Sequence, residues 1–246
     1  MSRAHIRLST IACVLTLSAS SALAGDGLVE PTLQLAHRSD GALHVALTLD
    51  ACSGATDGRI LSTLINEEIP ATIFVTARWI HHNKASLTVM ESRPDLFRIE
   101  NHGENHIPAV DRPVSVYGIA AAGSPEAVAQ EVAGGATAIT ANGAPVPRWF
   151  RGATARYSRS AISEIEHMGY AVAGYSVNGD GGSLLSPAQA EKRIANAKNG
   201  DVIIAHINQP THAAGEGVVR GILALKARGA VFEHLDEPGV MAGAGQ

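Results

Sequence analysis

Aromatic residues make up only 4% of this 246-residue chain, too small a share for a protein that grips sugars by stacking alone. Cysteine is nearly absent: Cys13 and Cys52 are the two. Cys13 falls in the expected leader, so the mature chain retains Cys52 alone and can form no internal disulfide. A single thiol in an exported protein is either buried and inert or reactive, and burial is the favoured reading because free cysteine packs like a small hydrophobe. No apolar run approaches the ~20 residues that cross a bilayer. The net charge is −4 and the basic residues are scattered, which argues against a nucleic-acid partner. Leu49-Asp50-Ala51-Cys52-Ser53-Gly54 follows the first expected strand and carries neither a G-x-G-x-x-G nor a Walker pattern, so a nucleotide site is not expected.

What is present begins with a leader. Arg3 and Arg7 precede a largely apolar stretch from Leu8 to Leu17, and Ala22-Leu23-Ala24 places small residues at the two positions a signal peptidase reads. Residues 1–24 are therefore expected to be a signal peptide. Residues 25–246 are expected to be one catalytic domain, exported to the periplasm or secreted, without stable membrane association after cleavage. Roughly 220 residues suit one domain with a sizeable core.

The mature chain alternates short β-branched runs with longer Ala-, Glu- and Leu-containing stretches. Strands are predicted at 44–49, 71–75, 97–100, 148–151, 171–177, 202–206 and 230–234. Helices are predicted near 58–68, 77–91, 125–140, 158–168, 187–197 and 217–228. Ser124-Pro125 and Ser186-Pro187 read as caps before a proline at the first helical position, and Gly169, Gly200 and Gly229 follow helices. Nearly continuous apolar strands alternating with helices indicate a parallel sheet covered by helices. The fold class is α/β: a distorted or incomplete (β/α) barrel with about seven parallel strands. The loop 107–123 is the longest irregular piece and is a candidate substrate rim; the Gly- and Ala-rich tail 237–246 is expected to fray.

In such folds the site lies at the carboxyl ends of the strands. Asp50 and Asp57 follow the first strand and His102-Gly103-Glu104-Asn105-His106 the third. Arg151 and Gly152 follow the fourth, and Asn178 and Asp180 the fifth; the sixth ends in His206, followed by Asn208. His102 and His106 are four apart, and on one turn of helix both imidazoles would point to the same side and reach one metal. Two imidazoles and a carboxylate leave a position for water, whose pKa the metal lowers.

These residues carry a resemblance to the polysaccharide deacetylases, carbohydrate esterase family four, over most of the mature chain. Thr48-Leu49-Asp50 resembles the family's first motif, usually T-F-D-D. His102 to His106 resembles the second, and Phe150-Arg151-Gly152 is similar to the third. Val177-Asn178-Gly179-Asp180 stands where the fourth supplies an acidic residue, and Ile203-Ile204-Ala205-His206 resembles the fifth. The resemblance implies removal of N-acetyl groups from a glycan. Asp50 would be the base and His206 the acid, Arg151 and Asp180 would orient them, and His102 and His106 would hold a divalent metal, zinc foremost. Ala51 stands where the family has its second aspartate, the third ligand. Asp57 is the favoured replacement, because the 52–58 loop is long enough to return it; Asp50 itself, or Cys52, which shares Asp50's side of an alternating strand end, are the alternatives. Gly152-Ala153-Thr154 also departs from the third motif, where a proline and an aromatic are usual, and the fourth motif lacks its tryptophan. An inactive glycan-binding relative, or a hydrolase of an O-acetyl ester or small amide, are the alternative functions.

Overall fold

The computed structural model describes residues 27–36, 38–235 and 240–243. The expected signal peptide, with Cys13, lies outside them, as do residues 236–239 and 244–246. In chain order, β1 (Thr32–Leu35) leads to the long β2 (Leu43–Ala51) and then α1 (Gly58–Asn66), β3 (Ala71–Val75), α2 (Ala77–His82), α3 (Lys84–Glu91) and β4 (Phe97–Asn101). A hairpin of β5 (Ser115–Val116) and β6 (Ile119–Ala120) precedes α4 (Pro125–Ala141) and β7 (Trp149–Phe150). Then come α5 (Arg159–His167), β8 (Ala171–Val172), β9 (Val177–Asn178), α6 (Pro187–Ala195), β10 (Val202–His206), α7 (Ala214–Ala227), β11 (Ala230–Glu233) and β12 (Val240–Gly243).

The main sheet runs β8-β7-β4-β3-β2-β10-β9, and β11 pairs with the first half of β2. Every pairing in it is parallel. The single strand predicted over 171–177 is two short strands on opposite edges of this sheet. In a flat seven-stranded sheet those edges would stand about 29 Å apart, six spacings of ~4.8 Å. Residues 173–176 can span only about 18 Å between Val172 and Val177. The sheet must therefore curl until its edges approach, which makes it an incomplete α/β barrel.

Strand alternation sorts side chains into two layers. Leu47, Leu49 and Ala51 of β2, Ile73 and Val75 of β3, and Ile203 and Ala205 of β10 face outward, where they pack with Ile60 and Leu64 of α1 and Val218 and Ile222 of α7. Each large side chain so buried contributes about 1.5–3 kcal/mol. The inward layer is smaller: Leu33, Leu35, Ala46, Phe74, Ala173, Val202 and Leu235, with Trp149 and Tyr175 against them. Above it the inward positions become polar, and the site lies there. Strand β7 is only two residues long, but the buried Glu100 carboxylate accepts the N–H groups of Arg148 (2.8 Å) and Trp149 (2.7 Å) and so fixes the approach to Arg151.

Two further features, the helix over 77–91 and the tail, differ from expectation. The helix predicted over 77–91 is broken at Asn83, whose side chain accepts from Thr56 N–H (2.9 Å) and donates to the carbonyls of Gly54 (3.1 Å) and Trp79 (3.0 Å). A residue that staples the 52–57 loop in this way cannot also continue a regular helix. Residues 240–243 of the tail expected to fray form β12, antiparallel to β1. The Gly134-Gly135 pair lies inside α4, where glycine costs about 0.5–1 kcal/mol relative to alanine. Gly135 repays this by letting the loop after β4 lie against the helix: a Cβ there would sit 2.2 Å from Asn101 Oδ1 and 2.7 Å from the Gly103 carbonyl carbon.

Gly135→Ala is accordingly expected to lower stability, since overpacking of about 1–3 kcal/mol exceeds the gain in helix propensity. Urea unfolding with an unchanged slope and a lower midpoint would bear this out; a more stable variant would refute the close-packing account.

Candidate functional site

Asp50 lies at the end of the central strand with its carboxylate turned inward. Arg151, fully buried, donates from Nη1 to Asp50 Oδ1 (2.9 Å) and to Thr48 Oγ1 (2.9 Å), and Thr48 in turn donates to the Ile203 carbonyl (2.7 Å). The same guanidinium donates to the carbonyls of Ala173 (3.3 Å) and Gly174 (3.0 Å), the segment that joins the sheet's two edges, and lies 4.3 Å above the Phe74 ring. Burial pushes the Asp50 carboxyl's pKa up, but the Arg151 charge, followed by His102 and His206, more than offsets this and holds it below the ordinary carboxylate value. Asp50 is thus an ionised carboxylate with one oxygen committed to Arg151.

His206 is the register partner of Asp50 on β10. Paired positions on adjacent parallel strands project to the same side about 4.8 Å apart, so base and acid candidates stand side by side at the barrel mouth. Asp180, fully buried, accepts from the His206 backbone N–H through Oδ2 (2.7 Å) and holds Nδ1 at 3.0 Å. Nδ1–H donates to that carboxylate. Burial would lower the imidazole's pKa, but the Asp180 charge and hydrogen bond raise it well above the usual histidine value. Asp180, assigned from sequence through an incomplete motif, is thereby brought against His206.

His102 follows β4, and its Nδ1 lies 2.5 Å from the Arg151 carbonyl. A carbonyl can only accept, so Nδ1 carries the hydrogen; burial would lower the imidazole's pKa, but the Asp50 charge and then Cys52 raise it above the usual histidine value, and it is on loss of the Nε2 proton that this nitrogen offers a lone pair. Nε2 faces Cys52 Sγ at 3.5 Å, with Asp50 Oδ2 at 3.8 Å. The His106 ring lies 5.0 Å from that of His102, centre to centre. Donor atoms of Cys52, His102 and His106 all lie within 4.8 Å of one another, the one group of three or more such residues with metal-holding spacing among the described residues. The loop carrying His106 is anchored by Glu131 of α4, whose carboxylate accepts from the N–H groups of Asn105 (2.9 Å) and Ile107 (3.0 Å). His106 itself has φ 61°, a conformation uncommon for a non-glycine residue.

Asp57, the replacement favoured from sequence, is not in this group. It is the N-cap of α1: Oδ1 accepts from Arg59 N–H (3.0 Å) and from Arg59 Nε (2.9 Å), and Oδ2 accepts from Arg59 Nη2 (2.6 Å). Asn83 fixes the loop that was expected to return Asp57, and the Asp57 N–H donates to the Ile207 carbonyl (2.6 Å). Ala51 points the other way, into the layer beneath the helices, so the third donor on Asp50's side is Cys52, two residues on. Cys52 is buried, as expected, but among histidines rather than in an inert pocket. Burial would raise its pKa, yet His102 first, then His106 and His206, bring it well below the ordinary thiol value.

These residues fit a metal. A tetrahedral ion with bonds of ~2.3 Å to sulfur and ~2.0–2.1 Å to nitrogen has a sulfur–nitrogen edge of about 3.5 Å, the separation found between Cys52 and His102. The hydrogen bond from the second ring nitrogen of His102 to a carbonyl is the orienting contact that metal-ligating histidines usually have.

Asp50, Cys52, His102, His106 and His206 all face one cleft of 630 Å³. The expected rim loop does contribute to it, through Tyr117 and Ile119 of the β5–β6 hairpin, and Gln209 lines it after His206. Sequence reasoning missed Glu30 and Tyr175, which also line it and are hydrogen-bonded to each other. Asn208 is fully buried. Other histidines among the described residues lie outside this cleft. His81 and His82 are exposed on α2. His44 is buried against Glu233 and Asp40, His212 pairs with the Ser183 carbonyl (3.0 Å) and His234 with that of Leu96 (3.1 Å).

No protein of curated function matches the chain in sequence. Among solved structures it is similar to a family four carbohydrate esterase pseudoenzyme from Bacillus anthracis, with 18% identity and a TM-score of 0.63 over 79% of this chain and 64% of that one. It thus spans a little under two thirds of the pseudoenzyme's length. A family four carbohydrate esterase from Streptomyces lividans in complex with acetate gives 18% identity and a TM-score of 0.63 over 83% of this chain and 98% of that one. A family four acetyl xylan esterase from Clostridium thermocellum in complex with a cobalt ion gives 21% and 0.62 over 78% and 88%. At such identities the likeness is one of fold. The polysaccharide deacetylase profile matches residues 37–173, more than half of the chain and including Asp50, both histidines of the second motif and Arg151, and the chain therefore belongs to the polysaccharide deacetylase family.

Proposed function

We propose that this chain is a metal-dependent hydrolase that removes acetyl groups from an N-acetylated glycan, with Cys52, His102 and His106 as the protein ligands of a divalent metal. Residues 25–246 form its catalytic domain, and the leader at 1–24 supports a site of action in the periplasm or outside the cell. The observation that carries the reading is the placement of Asp50 and His206 side by side on β2 and β10, next to the Cys/His/His donor set and in one cleft. The solved structures of similar fold that hold acetate or cobalt support it by analogy.

A bound divalent ion supplies Lewis acidity toward an acyl oxygen and lowers the pKa of a nearby water. Asp50, kept ionised by Arg151, takes the proton of the attacking water. His206, protonated at Nε2 because Asp180 holds its Nδ1–H, gives a proton to the departing amine, which cannot leave as an anion. Arg151 and Asp180 position the base and the acid. A thiolate in place of the usual carboxylate suits zinc and other thiophilic ions better than hard ones.

A second reading has one specific support. Position 51 carries no carboxylate and faces the helices, so a site that fails to load metal would bind glycan without releasing acetate, as expected of a pseudoenzyme.

Metal content and acetate release from N-acetylglucosamine oligomers separate the two. About one ion per chain, with release abolished by a chelator, supports the hydrolase; a folded, metal-free and inactive chain refutes it. The cobalt(II)-loaded protein is expected to show a thiolate-to-metal charge-transfer band in the near ultraviolet that Cys52→Ser lacks. Asp57→Ala should keep the band and lose only cap stability, about 0.5–2 kcal/mol; a band that survives Cys52→Ser would remove Cys52 from the ligand set. His206→Ala is expected to lower kcat by about 10²–10⁴-fold. Asp180→Asn removes the group that raises the imidazole's pKa, so the alkaline limb of the kcat profile should move to lower pH. A limb that stayed in place would mean that another group is the acid.

A further inference from the structure

The hairpin over the cleft contains a residue that its fold does not require. Strands β5 and β6 pair antiparallel, with Val116 opposite Ile119, and are joined by Tyr117-Gly118 alone. Both turn residues have positive φ, 51° at Tyr117 and 81° at Gly118. A two-residue turn of this kind favours asparagine or aspartate before the glycine, because a short polar side chain tolerates the left-handed region. A bulky aromatic there is an outlier, and such outliers concentrate where function maintains them. The ring is not there for packing, since Tyr117 is 72% exposed while its neighbour Val116 is buried and anchors the hairpin. It is the one aromatic among the exposed large hydrophobic side chains of the described residues. It lines the same cleft as Asp50 and His206, as does Leu184 from the loop after β9, which is 79% exposed. The Arg156 guanidinium lies over the ring at 5.8 Å from its centre, which limits the ring's freedom and adds a donor beside it.

We propose that Tyr117 is a stacking platform for a pyranose ring of the substrate, one or more residues away from the sugar that loses its acetyl group. An aromatic face carries negative charge density and attracts the polarised C–H groups on a sugar's apolar face. Preorganised by its turn and by Arg156, the ring loses little freedom on contact. The site would then take a chain of several sugars, with Leu184 as a second apolar contact on the cleft's rim. This rests on the reading of the cleft as a glycan hydrolase site.

The test uses the metal-loaded mature chain, N-acetylglucosamine oligomers of one to five sugars, calorimetric titration and acetate release. Affinity is expected to tighten with length in the unsubstituted protein. Tyr117→Asn should bind the pentamer about five- to ten-fold more weakly and flatten the dependence on length, while Tyr117→Phe keeps it. Because asparagine suits the turn, Tyr117→Asn should also raise Tm, by about 2–4 °C. Acetate release by the unsubstituted chain, combined with equal pentamer affinity in Tyr117→Asn, overturns the platform and leaves the hydrolase standing. A loss in Tyr117→Phe equal to that in Tyr117→Asn overturns stacking in favour of the hydroxyl, and a lower Tm in Tyr117→Asn removes the argument from strain. Absence of both oligomer binding and acetate release in the unsubstituted chain overturns platform and hydrolase together.

Discussion

The buried ion pair between Asp50 and Arg151 joins the fold to the chemistry. An unpaired guanidinium in the barrel's interior would be prohibitive, and removing one member of such a pair costs about 3–5 kcal/mol. Here the guanidinium's donors go to the Asp50 carboxylate, the Thr48 hydroxyl and the carbonyls of Ala173 and Gly174, and its face lies on Phe74. Those carbonyls belong to the four residues that carry the chain from one edge of the curled sheet to the other. Curling the sheet and keeping Asp50 ionised therefore draw on one interaction. His102 donates to Arg151's own carbonyl, so the first histidine of the Cys/His/His cluster is oriented by the same residue.

Around this pair, each working group has a partner that fixes its state. Asp180 commits His206 to one tautomer and favours its protonated form, and Glu131 holds the loop that carries His106. Cys52 reaches the site because inward positions on β2 recur every second residue, through Thr48 and Asp50. A carboxylate at position 51 would face the hydrophobic layer under α1 and α7. Strand parity thus puts the Cys52 thiol, and not the side chain at 51, on Asp50's side.

The mouth of the barrel is built from less regular backbone than its wall. His106, Tyr117, Thr154, Ala155 and Ser183 all have positive φ, and all but Ser183 line the cleft. Strain of this kind persists only where surrounding structure over-determines it. The fully paired wall of β2, β3, β4 and β10 provides that support.

Much of this was legible in the sequence. Apolar runs at strand length gave the parallel α/β class, because a strand buried on both faces must be apolar throughout. Strand ends carrying Asp50, His102, Arg151, Asp180 and His206 marked the site, because parallel strands deliver their carboxyl ends to one side of the sheet. The donor beside the two histidines was not legible: Asp57 and Cys52 lie five residues apart, and only the Asn83 staple and the tie of the Asp57 N–H to the Ile207 carbonyl, both made through tertiary contacts, decide which turns inward. Nor was the division of 171–177 between two sheet edges, since an apolar run specifies burial but not its pairing partner. Local patterning is written in side-chain periodicity and so survives in the sequence alone; ring closure, loop direction and ionisation depend on groups distant in the chain, and only the folded structure settles them.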